Sequence, residues 1–86
     1  MGSTLMEEKP RYTTKQGQYL AFIHYYTKIH RCAPAEADLQ RYFGVSPAAV
    51  HQMLRSLEAK GFIERIRGKA RAIRVMLPRE KLPDLE

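Results

Sequence analysis

A mainly α fold class, three helices closed by one small β-hairpin, is what this sequence predicts, and three observations carry it. Two helix-start signatures, Thr13-x-x-Gln16 and Ser46-Pro47, each open an apolar pattern of helical period. Gly44 and Gly61 close two of the helical patterns. After Gly61 the period changes to the β-branched alternation of "FIERI" and "RAIRVM", joined by the Gly-containing loop "RGKA". At 86 residues there is room for one small domain. Such a domain buries only about 60–65% of its unfolded surface and has no spare core for an enzymatic cleft.

Residues 1–11 show no periodicity and are expected to form a disordered arm ahead of a domain at 12–77. The first helix is expected to start at the capping box of Thr13 and Gln16, with Tyr12 as the apolar residue before the cap. Tyr19, Leu20, Ile23 and Tyr26 recur at helical spacing, and Phe22, Tyr25 and Ile29 form a second stripe, so the helix is expected to be buried on two sides. Core packing is the preferred reading of these aromatics over base stacking.

Pro34 prevents the first helix from continuing, and Glu36 and Asp38 suit the positive end of a second helix whose apolar face is Leu39, Tyr42 and Phe43. Gly44 ends it. The turn Gly44-Val45-Ser46 is short enough to set the next helix at a steep angle. Ser46 caps that third helix and Pro47 takes its first position, where a missing N–H costs nothing.

The third helix is expected over residues 47–60. At about 100° per residue, Val50, Met53, Leu54 and Leu57 share one face, while Ala48, Gln52, Arg55 and Ala59 cluster opposite, with Ala49, His51 and Ser56 beside them. That outer face has small residues that permit close backbone approach, and an amide and a cation that make directional hydrogen bonds. In the hairpin, Ile63, Ile73 and Val75 are expected to cover the core and to leave Arg67, Lys69 and Arg71 at the tip. Residues 78–86 are expected to be a flexible tail, because their Pro and charge content favours extended chain.

Charge locates a partner. Residues 1–43 carry a net +2, residues 44–76 a net +5 and residues 77–86 a net −1. Five of the ten residues from Arg65 to Arg74 are Lys or Arg. A merely solubilising surface would intersperse both signs, so a nucleic acid or an anionic membrane surface is implied as partner.

Other classes find less support. No segment approaches the roughly 20 apolar residues of a membrane span, and no hydrophobic signal-like stretch opens the sequence, so a cytoplasmic location is expected. The single Cys32 cannot form an internal disulfide, and the spacing of His24, His30 and Cys32 matches no structural zinc pattern. Helix-end polar residues and a small buried thiol are the plainer reading, and no metal or cofactor is expected. Catalysis is not expected either, since no carboxylate pair, nucleophile-base set or phosphate-binding glycine loop is present.

Helix, helix-turn-helix and hairpin in that order make a winged helix-turn-helix. "YTTKQGQYLAFIHYY" and "PAEADLQRYFGVSPAAVHQMLRSLEAKGFIERIRGKARAIRV" resemble the N-terminal DNA-binding domain of the LexA repressor family. The resemblance runs over about residues 12–77 and lies in the Thr-x-x-Gln start, the Pro-x-x-x-acid-Leu second helix, Ser-Pro-x-Ala, Leu-x-x-Leu-x-x-Lys-Gly-x-Ile-Glu and the closing Ile-Arg. It implies duplex DNA binding through the third helix, with Ser46, Ala48, Ala49, His51 and Gln52 on operator-facing positions. Arg55 extends that helix set, and Arg65, Arg67, Lys69 and Arg71 form the basic wing. The family often carries Asn and two Glu where this chain has Ala48, His51 and Gln52, so its target sequence is expected to differ. Ala35 replaces the usual Thr or Ser cap of the second helix.

The resemblance stops where that family's self-cleaving domain begins, and Ser3, Ser46 and Ser56 form no Ser-Lys pair in a cleft. The expected function is sequence-specific binding of double-stranded DNA by a transcriptional regulator, without a membrane or small-molecule substrate. The alternative is a winged-helix module that holds a protein or an RNA. Lacking a heptad stripe, the chain is expected to be a monomer that meets a protein partner or a second copy only on DNA.

Overall fold

A computed structural model of the chain describes residues 11–66 and 72–86. In chain order these form α1 (Thr14–His30), α2 (Glu36–Phe43), α3 (Pro47–Ala59), β1 (Ile63–Arg65), β2 (Ile73–Val75) and a 3-10 turn, Arg79–Lys81. The strands pair antiparallel, with Ile63 opposite Val75, Glu64 opposite Arg74 and Arg65 opposite Ile73. This is the expected mainly α class, and the three helices and hairpin have the arrangement of a winged helix-turn-helix. The expected arm lies almost wholly outside the described residues, as do the hairpin tip and its side chains Arg67, Lys69 and Arg71.

The helix boundaries follow from local chemistry. At α1 both halves of the capping box form: the Gln16 N–H donates to Thr13 Oγ1 at 3.0 Å, and the Thr13 N–H donates to Gln16 Oε1 at 2.9 Å. Tyr12 packs its ring edge-on to Phe62, with centroids 6.1 Å apart. The helix closes at Arg31, whose φ of 64° puts a side-chain-bearing residue in the left-handed region while its N–H reaches the Thr27 carbonyl at 2.8 Å. At α2 only the returning half of a capping box exists. Ala35 has no side-chain acceptor, and Asp38 Oδ2 accepts the Ala35 N–H at 2.8 Å.

Gly44, at φ 65°, and Val45 both direct their N–H groups to the Gln40 carbonyl, which turns the chain from α2 into Ser46. After α3 the Gly61 N–H bonds the Glu58 carbonyl at 2.9 Å and the Phe62 N–H bonds the Leu57 carbonyl at 3.0 Å, with Gly61 at φ 78°. That is the Schellman pairing. Phe62 and Leu57 both join the core, so the apolar contact that accompanies this motif is present.

The core is built from Tyr19, Leu20, Ile23, Leu39, Val50, Leu54, Leu57, Phe62 and Ile63, with Ile73 and Val75 packed against it as expected. Tyr19 stacks on Phe43 at 4.1 Å between centroids, and its burial pushes the phenol pKa up. The second stripe of α1 is covered only in part. Phe22 stacks on Tyr42 at 4.4 Å, but Ile29, in the last turn of α1, is 72% exposed.

Residues 78–86, expected to be a flexible tail, follow a defined path instead. Leu82 packs on the core, as does Leu77 at the end of the expected domain. Tyr12 donates its hydroxyl to the Lys81 carbonyl at 2.7 Å, Gln18 bonds the Asp84 carbonyl at 2.9 Å and the Glu86 N–H at 2.8 Å, and the Tyr42 hydroxyl reaches the Glu86 carbonyl at 3.0 Å. Gly17 permits this course. A Cβ there would lie 2.8 Å from the Tyr12 ring and 3.1 Å from Pro83. Apolar anchors and satisfied backbone groups thus hold a stretch whose composition alone favours disorder.

Candidate nucleic-acid interface

The third helix presents the expected division of faces. Val50, Leu54 and Leu57 are fully buried, while Ser46, Ala48, Ala49, His51, Gln52 and Arg55 are all exposed. Ser46 holds the start of α3: its Oγ accepts the Ala49 N–H at 3.1 Å, and its carbonyl accepts the Val50 N–H at 3.2 Å. Pro47 has no N–H, so the Ala48 N–H is the amide of that first turn left for an outside acceptor. Ala48 and Ala49 keep the helix slim beside it. Arg55 makes no ion pair among the described residues.

Ser56, expected beside the outer face, is half-buried and turned toward α1. Its Oγ accepts from Gln16 Nε2 at 3.4 Å. Gln16 is only 7% exposed, so one side chain both closes the α1 capping box and touches the middle of α3. Sequence spacing carried the first role. The second joins residues 40 positions apart, which no local pattern reveals.

Of the four expected wing residues, Arg65 alone lies within the described part of the hairpin. Arg65 is turned back onto the body, its Nη2 2.9 Å from Glu36 Oε2, with 26% of its side chain exposed. Glu36 opens α2, so this pair ties the hairpin to the first helix of the helix-turn-helix. On the other strand Arg74 pairs with Glu64 at 2.6 Å across the hairpin. Arg67, Lys69 and Arg71 fall outside the described residues.

No group of three or more His, Cys, Asp or Glu that could hold a metal comes together among the described residues. Cys32, expected to be a small buried thiol, is exposed, since it follows the left-handed Arg31 and precedes the buried Ala33 and Pro34. His24 lies in the body of α1, and its Nε2 is buried without a hydrogen-bond partner. No helix among the described residues is long and apolar enough to cross a membrane.

A helix with a polar, partly cationic outer face, set by a Gly turn behind a shorter helix and followed by a β-hairpin, defines the winged helix-turn-helix class of nucleic-acid-binding modules. Within that class, residues 9–72 match the LexA DNA binding domain family, and the chain belongs to it. It is 39% identical over 62 residues to the LexA repressor of Verrucomicrobium spinosum, a match that covers 71% of this chain and 31% of that protein. Against the LexA repressor of Petrotoga mobilis the identity is 40% over 65 residues, covering 74% of this chain and 31% of the relative. The LexA repressor of Thermotoga neapolitana is 38% identical over 63 residues, 73% of this chain and 32% of its own length. The chain thus spans about a third of the length of these curated relatives.

Proposed function

We propose that this chain is a non-enzymatic, sequence-specific binder of double-stranded DNA that acts as a LexA-like transcriptional regulator in the cytoplasm. The observation that carries the reading is the continuous exposed face Ser46, Ala48, Ala49, His51, Gln52 and Arg55 on a helix whose opposite face is locked in the core. Laid in the major groove, that face puts Gln52 where its amide can pair with adenine N6 and N7, and Arg55 within reach of a guanine or a phosphate. The Ala48 N–H at the helix start would receive a phosphate oxygen. Arg67, Lys69 and Arg71 add backbone or minor-groove contacts, and Arg65 supports them by bracing the hairpin on Glu36.

One module covers one half-site. A second copy, or a protein partner, would take the next half-site about one helical turn away. Selection from a random duplex pool tests the reading. The wild type should return a defined consensus, and Gln52→Ala should relax one base position at a cost of about 1–3 kcal/mol. Changing Arg67, Lys69 and Arg71 to Ala should weaken specific and random duplex alike and lower the salt slope by up to about three units. An unchanged consensus with Gln52→Ala would remove the third helix from the readout.

A further inference from the structure

The described strands of the hairpin carry two arginines, each paired with a carboxylate, and the two pairs differ in what they join. Arg74 on β2 meets Glu64 on β1, so that pair stays within the hairpin, and both of its side chains are more than half exposed. Arg65 on β1 meets Glu36, the first residue of α2, with Nη2 2.9 Å from Oε2. This second pair crosses from the hairpin to the helical body, and 26% of the Arg65 side chain and 39% of the Glu36 side chain are exposed. β1 packs on α3 and β2 on α1, and Arg65 adds a tie from β1 to α2.

Strand alternation explains why an arginine stands there. Ile63 is buried and Glu64 exposed, so Arg65 returns to the body side of β1. Across the strand pair it faces Ile73, which packs against the core. A guanidinium on that apolar side needs an acceptor, and the Glu36 carboxylate supplies it, steadied by the positive end of α2. Ile66, one residue further, is already 55% exposed. Arg65 therefore ties the hairpin down at the point where it leaves the body.

We propose that Glu36 is a positioning residue for DNA binding: through Arg65 it fixes the angle at which the hairpin leaves the body, and so the approach of the wing to the duplex that α3 reads. This rests on the DNA binding proposed above. Arg65 then acts inside the protein and not on a phosphate. Removing a carboxylate from a module that binds a polyanion raises its net charge and ordinarily tightens binding. Removing Glu36 should instead loosen it, because the wing loses its alignment.

Glu36→Ala and Glu64→Ala carry the same formal charge, so comparing them removes the general electrostatic effect. Each is titrated by fluorescence anisotropy onto a duplex selected by the wild type and onto random duplex, at several salt concentrations. Glu36→Ala should bind both duplexes about threefold to fivefold more weakly, the scale of one partly screened ion pair, with a shallower salt slope and an unchanged consensus. Glu64→Ala should bind at least as tightly as the wild type. In an Arg65→Ala background, Glu36→Ala should cause no further loss, because the two residues act as one unit. Thermal melts followed by circular dichroism establish that each variant is folded at the assay temperature. Unchanged or tighter binding by Glu36→Ala would overturn the assignment, and tighter binding would identify Arg65 as a phosphate contact that Glu36 withholds. A changed consensus, which would place the effect in α3, or equal losses in Glu36→Ala and Glu64→Ala would overturn it as well. A wild type that binds every duplex alike would instead refute base readout by α3, and the random-duplex titration would still decide the role of Glu36.

Discussion

Gln16→Ala separates what holds α1 from what holds α3. In the native chain Gln16 is 7% exposed and makes two contacts of unequal quality. The Thr13 N–H reaches its Oε1 at 2.9 Å, well within the range of a strong amide hydrogen bond, whereas Nε2 stands 3.4 Å from Ser56 Oγ, at the long limit. Loss of half a capping box costs about 0.5–1 kcal/mol, and the long bond to Ser56 adds only a few tenths, because net hydrogen-bond contributions of about 1 kcal/mol fall steeply with distance. Removing the buried methylene and amide adds about 0.8 kcal/mol. The sum is about 1.5–2 kcal/mol, which for a domain of this size lowers Tm by about 6–16 °C.

Thermal and urea unfolding of Gln16→Ala, Thr13→Ala, Ser56→Ala and the two double variants would test this. The coupling between Gln16 and Thr13 should be about 0.5–1 kcal/mol, and that between Gln16 and Ser56 no more than about 0.5 kcal/mol. A Ser56 coupling larger than the Thr13 coupling would refute the reasoning. The helix-to-helix contact would then dominate, and the capping box would be incidental.

Arg31→Gly should stabilise the domain by about 0.5–1 kcal/mol, because the left-handed backbone at φ 64° that burdens arginine is free for glycine, less the added chain entropy; urea midpoints would show it. Gly17→Ala should destabilise despite the better helix propensity of alanine, since its Cβ would meet the Tyr12 ring at 2.8 Å and displace Pro83. Faster amide exchange at residues 81–86 and a lower Tm are the expected signs. The lowered pKa of His24 means that the unfolded chain takes up its proton first, so stability is complete above the ordinary histidine value of 6.5 and falls as pH drops through it. Beyond burial, the charges of Lys28 on α1 and Arg79 after β2 act on the ring, while Arg74 is paired with Glu64 across the hairpin. His24→Phe should remove that slope from a series of melts between about pH 5 and pH 8.

Much of this protein was legible along the chain because its determinants act over one turn of helix or one strand pair. The Thr13 and Gln16 box, the Ser46 cap with Pro47, the turns at Gly44 and Gly61 and the switch to strand alternation all depend on neighbours within five residues, and each is found where expected. The exposed face of α3 follows from the same period, since burial of Val50, Leu54 and Leu57 forces Gln52 and Arg55 outward. Tertiary structure alone decided the features that join distant residues. Gln16 meets Ser56 across 40 positions, Arg65 meets Glu36 across 29, and the last residues reach Gln18 and Tyr42 across 68 and 44. Composition made the tail read as free chain, yet Leu82 found uncovered core and the backbone found donors in Tyr12, Gln18 and Tyr42. His24 shows the same limit: its isolation belongs to the packing of β2 on α1, and no spacing within a helix encodes what a strand 50 residues later will bring against it.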